Sequence, residues 1–262
     1  MSVAEESSST AVERALSILE VVAGRGAGMT NSEISRRLEI PKSTASYLLR
    51  ALERRGYLRR DATSGKYKLG LKVLGLSHGV LTGLDIREIA QPVLRQFVER
   101  TRLTSHLAIL DQGRAVYVEK VEAPGFVKMD TWIGHRVDVH VTAVGKALAA
   151  ALPEAELEAV VKERGLRKHT PHSITVRTKF LRELEKVRAQ GYAVDDEENS
   201  VGVRCIAAPV YDAEGKVVAA FGTSGTTVQI DRAHLPRVIE LVKEAARRIS
   251  QQLGYQAPSR RF

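Results

Sequence analysis

The chain has 262 residues, 44% of them hydrophobic, and 40 Lys and Arg against 31 Asp and Glu give a net charge of +9. That length holds one large domain or two modest ones. The basic balance points to a polyanionic partner, and no apolar run reaches the roughly 18 residues a bilayer span needs.

The charge is concentrated. Between Arg25 and Lys72 twelve Lys or Arg face four acids, so this stretch carries +8 of the net charge. The lone Cys205 excludes an intramolecular disulfide, and the start "MSVAEESSST" lacks the basic and apolar regions of a signal peptide. The expectation is a cytoplasmic protein without membrane association and without a cofactor.

Residues 1–10 read as a disordered N-terminus. From Ala11, Leu16, Ile18, Leu19 and Val22 form a helical stripe that ends at "GRGAG". Thr30 or Asn31 caps a second helix carrying Ile34 and Leu38 on one face. Pro41 suits the first position of a third helix, in which Ala45, Leu48, Leu49 and Leu52 recur at helical spacing before Gly56 ends it. The opposite face of that third helix shows Lys42, Ser43, Thr44, Ser46, Tyr47 and Arg50. A short helix, a turn and a second helix with a small, polar first turn make a helix-turn-helix. The hydroxyls and the helix N-terminus suit phosphate oxygens, and the longer side chains reach into the major groove.

In "YLRRDATSGKYKLG" Tyr67 and Leu69 alternate with Lys66 and Lys68 around a "TSG" turn, which predicts a two-stranded basic wing. Residues 11–70 are therefore read as a winged helix-turn-helix, with a helical bundle bearing a solvated basic face as the bland alternative. "LKVLGLSHGVLTG" gives a linker helix over 71–84. One such module makes few base contacts, so a homodimer or homotetramer on an inverted-repeat duplex operator is expected, with the linker as a candidate subunit contact.

From Asp85 helices and strands alternate. "DIREIAQPVLRQFVERT" is amphipathic; "SHLAILD", "AVYVEKVEA" and "FVKMDTW" read as strands. "TAVGKALAAALP" is a short helix that Thr142 caps. Two further helices cover 153–165 and 175–191. "CIAAPVYD" and "VVAAFGTSG" form a hairpin across "AEGK", and a long helix closes the domain before a tail at 255–262. The fold class is α+β, with a mixed or antiparallel sheet under helices in its second part.

"AVERALSILEVVA" and "IPKSTASYLLRALERRGYLRRDATSGKYKLG", followed by "VHVTAVGKALAA" and "GYAVDDEENSVGVRCIAAPVYDAEGKVVAAFGTSG", resemble the IclR family of bacterial transcription regulators from about Ala11 to Gly254. The resemblance implies a GAF-like effector-binding domain over 85–254 and binding of operator DNA as dimers or pairs of dimers. It also implies a small organic acid or aromatic compound as effector. Carried over position by position, it places the effector at the backbone of Ala143 and Val144, opposite Asp195, Cys205, Gly222 and Ser224, with Phe126, Met129, Val137 and Val203 as an apolar wall. Members that bind small carboxylates often carry serine where this chain has Gly222. The missing side chain implies a larger pocket and a bulkier or less polar effector.

Alternatives stay open on the residues alone. Cys205 fits a buried small hydrophobe, a nucleophile or a redox sensor, although no base is identifiable beside it. Asp195 and Asp196 lie in a charge run that reads as a solvated loop. His106, His135 and His140 offer imidazoles for a metal, without a tight Cys/His pattern. An enzyme with an accessory nucleic-acid module is opposed by the lack of a phosphate loop, a nucleophile elbow or a metal cluster.

Overall fold

A computed structural model describes residues 3–82, 85–126 and 128–256, which fall into two compact units, Met1–Gly83 and Leu84–Phe262.

The first unit opens with α1 (Val3–Ala23), so residues 3–10 are helical rather than a disordered lead, while residues 1 and 2 lie outside the described residues. Ile18 and Val22 are buried, whereas Leu16, read as part of the stripe, is exposed. Next come α2 (Asn31–Arg37) and α3 (Lys42–Arg54). Thr30 is the cap of α2, its hydroxyl accepting from the Glu33 amide while the Glu33 carboxylate accepts from the Thr30 amide at 2.7 Å. The turn is fixed by Ser35, whose hydroxyl donates to the Ile40 carbonyl at 2.6 Å, and by Glu39 at φ 53°.

Pro41 sits one position before the first residue of α3 rather than on it. Ala45, Leu48 and Leu49 bury the inner face of α3 against Ile18, Ile34 and Leu58. Gly56, at φ +79°, ends the helix in the left-handed conformation that glycine adopts without strain. β1 (Leu58–Arg60) and β2 (Tyr67–Leu69) pair antiparallel, and Tyr67 also exchanges two backbone hydrogen bonds with Met29. α4 (Lys72–Thr82) follows, with Leu71, Leu74 and Leu76 exposed.

In the second unit, α5 (Asp85–Thr101) leads into β3 (Thr104–Asp111), β4 (Arg114–Val121) and β5 (Arg136–Asp138). Then come α6 (Ala143–Ala149), α7 (Glu154–Arg164), α8 (Arg177–Gln190), β6 (Ala193–Asp196), β7 (Val203–Tyr211), β8 (Val217–Thr226) and α9 (Leu235–Gln252). The sheet order is β5-β4-β3-β8-β7-β6 and every pairing is antiparallel. Side chains alternate across it. Leu107, Val118, Ile206, Ala208, Val210 and Phe221 pack on α5 and α9. The opposite face shows Ala108, Ala115, Ala193, Ala207 and Ala220 toward α6 and α8.

Two strand expectations change. Residues 126 and 128–132 form no strand; Lys120 on β4 donates to the carbonyls of Met129 and Thr131 at 3.0 and 2.8 Å, and the Met129 carbonyl also accepts from the nearby Thr131 amide at 2.8 Å, a local contact in place of a ladder. The edge strand comes later, as β5. "DDEEN" is no solvated loop throughout: Asp195 belongs to β6 and pairs with Cys205. At the end of the chain Tyr255 stacks on Tyr211 with centroids 4.9 Å apart, and residues 257–262 lie outside the described residues.

Candidate effector cavity and DNA-contact surface

On the sheet face opposite α5 and α9, the small residues leave room. Antiparallel register places Asp195, Cys205 and Ser224 side by side on β6, β7 and β8, with Ala207 and Gly222 in the next row and His106 beyond them on β3. The first turn of α6 closes over this patch, and residues 128–131 cross its other side. The result is a cavity of about 290 Å³. Met129, Val137, Ala143, Val144, Asp195, Val203, Cys205, Gly222 and Ser224 all line it. Phe126 does not: it stands 106% exposed, outside the cavity wall. The resemblance placed it on the apolar wall, which Met129, Val137 and Val203 form without it.

Gly222 also departs from expectation. A Cβ there would stand 2.6 Å from Val144 Cγ1, well inside contact distance, so the space a side chain would use is taken by Val144. The glycine brings α6 down onto the sheet instead of widening the pocket.

The polar lining is more extensive than the sequence reading placed. His106 Nε2 shares a 2.8 Å hydrogen bond with Thr131 Oγ1, and burial pushes the ring down to about 3, so it is neutral at physiological pH. His135 stacks flat on Trp132, centroids 4.0 Å apart, and is lowered by burial. Tyr117, Lys128, Asp130, Asn199 and Ser200 complete the polar rim. These residues lie on the strap at 128–135, on β4 and in the 197–202 loop, where no periodic signal marks an inward side chain.

Asp195 is 1% exposed. Its Oδ1 accepts from the amides of Glu198 at 2.8 Å and Asn199 at 3.3 Å. Burial first, and the Glu198 carboxylate second, push it up to about 7. Cys205 Sγ donates to Ser224 Oγ at 3.1 Å; burial drives the thiol up, away from the thiolate that nucleophilic or redox chemistry needs. Behind this row Lys146 of α6 is fully buried, paired with Glu198 and Glu183 and donating to the Val194 carbonyl. Helical periodicity in "GKALAA" gives no hint of an inward lysine. Thr142 caps α6, its hydroxyl accepting from the Gly145 amide, which leaves the amides of Ala143 and Val144 without intrahelical acceptors.

The imidazoles do not converge. His106 and His135 line the cavity, while His140 hydrogen-bonds the Arg167 carbonyl. Among the described residues no group of three His, Cys, Asp or Glu is disposed to hold a metal ion.

In the first unit, Lys42, Ser43, Tyr47 and Arg50 are exposed on α3, Tyr47 at 67%, while Thr44 and Ser46 are half-buried. No side chain caps α3 and no acid lies in its first turn. The amides of Lys42, Ser43 and Thr44 are therefore open to an anion. Lys66, just before β2, and Lys68, within it, are half-buried, and the exposed Arg59 and Arg60 stand on the paired strand β1, basic wing positions beyond the expected ones.

A helix-turn-helix unit joined to an α/β unit with a polar-lined cavity defines a DNA-binding regulator with an effector domain, and comparison with known proteins agrees. Residues 11–62 match the IclR helix-turn-helix domain, and residues 78–251 match the bacterial transcriptional regulator IclR C-terminal domain. The chain belongs to the IclR family of transcriptional regulators. It is 39% identical to the HTH-type transcriptional regulator XynR of Escherichia coli K12, over 94% of this chain and 98% of that one. It is 33% identical to the transcriptional repressor AllR of the same strain, over 94% and 91%. The crystal structure of Thermotoga maritima IclR, at 34% identity, covers 93% of this chain and 98% of its own with a TM-score of 0.75. An IclR homologue from Microbacterium hydrocarbonoxydans complexed with 4-hydroxybenzoate gives 26% identity and a TM-score of 0.80 over 93% and 98%. These relatives are regulators of transcription, and among the described residues no helix is long and apolar enough to cross a membrane.

Proposed function

We propose that the protein binds duplex operator DNA through residues 11–70 and adjusts that binding when a small organic acid, aromatic or aliphatic, occupies the cavity of residues 85–254. It acts by binding rather than catalysis, in the cytoplasm, as a homodimer or homotetramer on an inverted repeat, with the apolar residues of α4 as the subunit contact. The observation that carries the reading is the convergence of nine family-implied positions on one cavity of about 290 Å³. That volume suits a ligand of one aromatic ring or less. The bound 4-hydroxybenzoate of the Microbacterium relative supports the same ligand class.

The division of roles follows from charge. The amides of Ala143 and Val144 receive the effector carboxylate, and Asp195, Ser224 and Thr131 meet its other polar groups. Val137, Val144, Val203 and Met129 supply the apolar walls. On the DNA side Arg50, Lys42 and Tyr47 read the groove, Ser43, Thr44 and Ser46 hold phosphates at the start of α3, and Lys66 and Lys68 hold phosphates from the wing. The effector shifts DNA affinity only by its differential affinity for two domain arrangements, typically about 1–3 kcal/mol.

Measuring duplex affinity of the intact chain against salt tests the first half. A steep negative slope of log K on log[salt] is expected, less steep by about one unit for Lys66→Ala or Lys68→Ala. Arg50→Ala should instead relax sequence preference by about 1–3 kcal/mol. A flat salt dependence contradicts the reading.

A further inference from the structure

The carboxylates around the cavity outnumber the cations that could pair with them. Among the described residues Lys146 is the single ammonium buried behind the Asp195–Cys205–Ser224 row, and it is committed to Glu198, Glu183 and the Val194 carbonyl. Next along the strand, Asp196 takes Arg204. Asp195, the one of these carboxyls that lines the cavity, has no ion-pair partner among the described residues. Both amide donors it receives go to the same oxygen, Oδ1. The groups facing it are Glu198 from the 197–202 loop, Lys146 from α6, the Cys205 thiol from β7, the Ser224 hydroxyl from β8 and the Tyr117 phenol from β4. Across the cavity stand neutral His106 on β3, His135 before β5, and Lys128 and Asp130 on the strap. A second negative charge brought into this cavity would face a buried carboxylate without an ion pair, where repulsion is screened less than in bulk water.

We propose that Asp195 takes part in effector binding as a neutral carboxylic acid, so that an anionic effector is bound together with a proton on Asp195. The proposal rests on the reading that this cavity is the effector site. In the neutral form the repulsion is gone, and the carboxyl O–H becomes a hydrogen-bond donor to an effector oxygen, while Oδ1 keeps its two amides. Binding an anion favours the protonated form further, so the chain takes up a proton as the effector enters. Affinity for an anionic effector is then highest in mildly acidic solution and falls about tenfold per pH unit once Asp195 is ionised in the free protein. A cell whose internal pH drops would respond to less effector.

The test uses the full-length chain labelled with carbon-13 at the aspartate carboxyls. The Asp195 resonance is assigned by its loss in Asp195→Asn and, independently, by its displacement in Cys205→Ala. Titration from pH 5 to 9 is run with and without 4-hydroxybenzoate, benzoate or pyruvate, alongside calorimetry over the same range. A midpoint near neutrality in the ligand-free chain, moving upward with a bound acid, is expected. Affinity should fall with pH in the wild type and stay level in Asp195→Asn. A ligand-free midpoint below pH 5 overturns the proposal whatever the ligands do. A bound acid whose affinity ignores pH overturns it while leaving the effector site intact. A neutral midpoint that none of the three acids moves at any pH overturns both the site reading and the proposal built on it.

Discussion

The two faces of the six-stranded sheet are built from the same strands and differ in what they carry. Toward α5 and α9 stand Leu107, Val118, Ile206, Val210 and Phe221, large apolar residues packed as a core. Toward α6 stand Ala108, Ala115, Ala193, Ala207, Ala220 and Gly222, interrupted by His106, Asp195, Cys205 and Ser224. The first face holds the domain together by burial and dispersion. The second gives up that burial: its small side chains leave a cavity, and its polar groups sit where water is scarce. A face composed for packing alone does not hold an unpaired carboxyl. The difference separates the residues that stabilise this domain from those that give it a ligand.

Breaking the packed face should have the largest effect on stability. Phe221 is fully buried and meets Phe97 edge to face with centroids 5.1 Å apart. Phe221→Ala should cost about 3–5 kcal/mol, read by denaturant unfolding. On the cavity face the sign can reverse. The folded-state value of Asp195, about 7, lies above its ordinary 3.8. The stability tied to this group is therefore fully present below about pH 4 and is lost as pH rises through about 7. Asp195→Asn lacks the titration, so at pH 8 it should be more stable than the wild type, by on the order of a few kcal/mol, with the gap closing toward pH 4. Equal pH profiles for the two chains would remove the distinction between the faces at this residue. A smaller effect is expected at Gly222, where alanine forces Val144 away from a 2.6 Å approach. Overpacking should cost about 1–3 kcal/mol and lift α6 from the sheet.

How much of this the sequence disclosed follows the same division. Elements carried by an uninterrupted period were legible. The α3 stripe of Ala45, Leu48, Leu49 and Leu52 and the hairpin of "CIAAPVYD" and "VVAAFGTSG" both announce a buried face and a turn. The strap at 128–132 departs from the expected strand because alternating side chains are the only signal it carries. Two of its contacts come from Lys120 of β4, which donates to two of its carbonyls from outside the segment. β6 was hidden because a short edge strand ending in "DDEEN" has the composition of a loop. Buried Lys146 was hidden for the converse reason, since its partners Glu183 and Glu198 come from α8 and a loop distant in sequence. The cavity residues Asp195, Cys205 and Ser224 were reached through family resemblance. No local pattern marks them, because what unites them is register across three strands. The role of Gly222 needed the neighbouring helix in place before it made sense.

The polar face of the sheet is the proposed effector site. Its most direct test is thermal unfolding of the full chain and of Ser224→Ala at pH 6, each with saturating aromatic and short-chain organic acids. Ser224 lies on the cavity wall, hydrogen-bonded to Cys205, and belongs to the second unit, whereas α3 and the wing belong to the first. A ligand that binds the native chain alone raises its melting temperature in proportion to RT ln(1 + [L]/Kd), about 2.7 kcal/mol at a hundredfold excess over Kd. The account predicts that at least one acid raises the melting point of the wild type by several degrees and that Ser224→Ala loses a large part of that rise. An acid that stabilises both chains equally would contradict it and place the effector elsewhere.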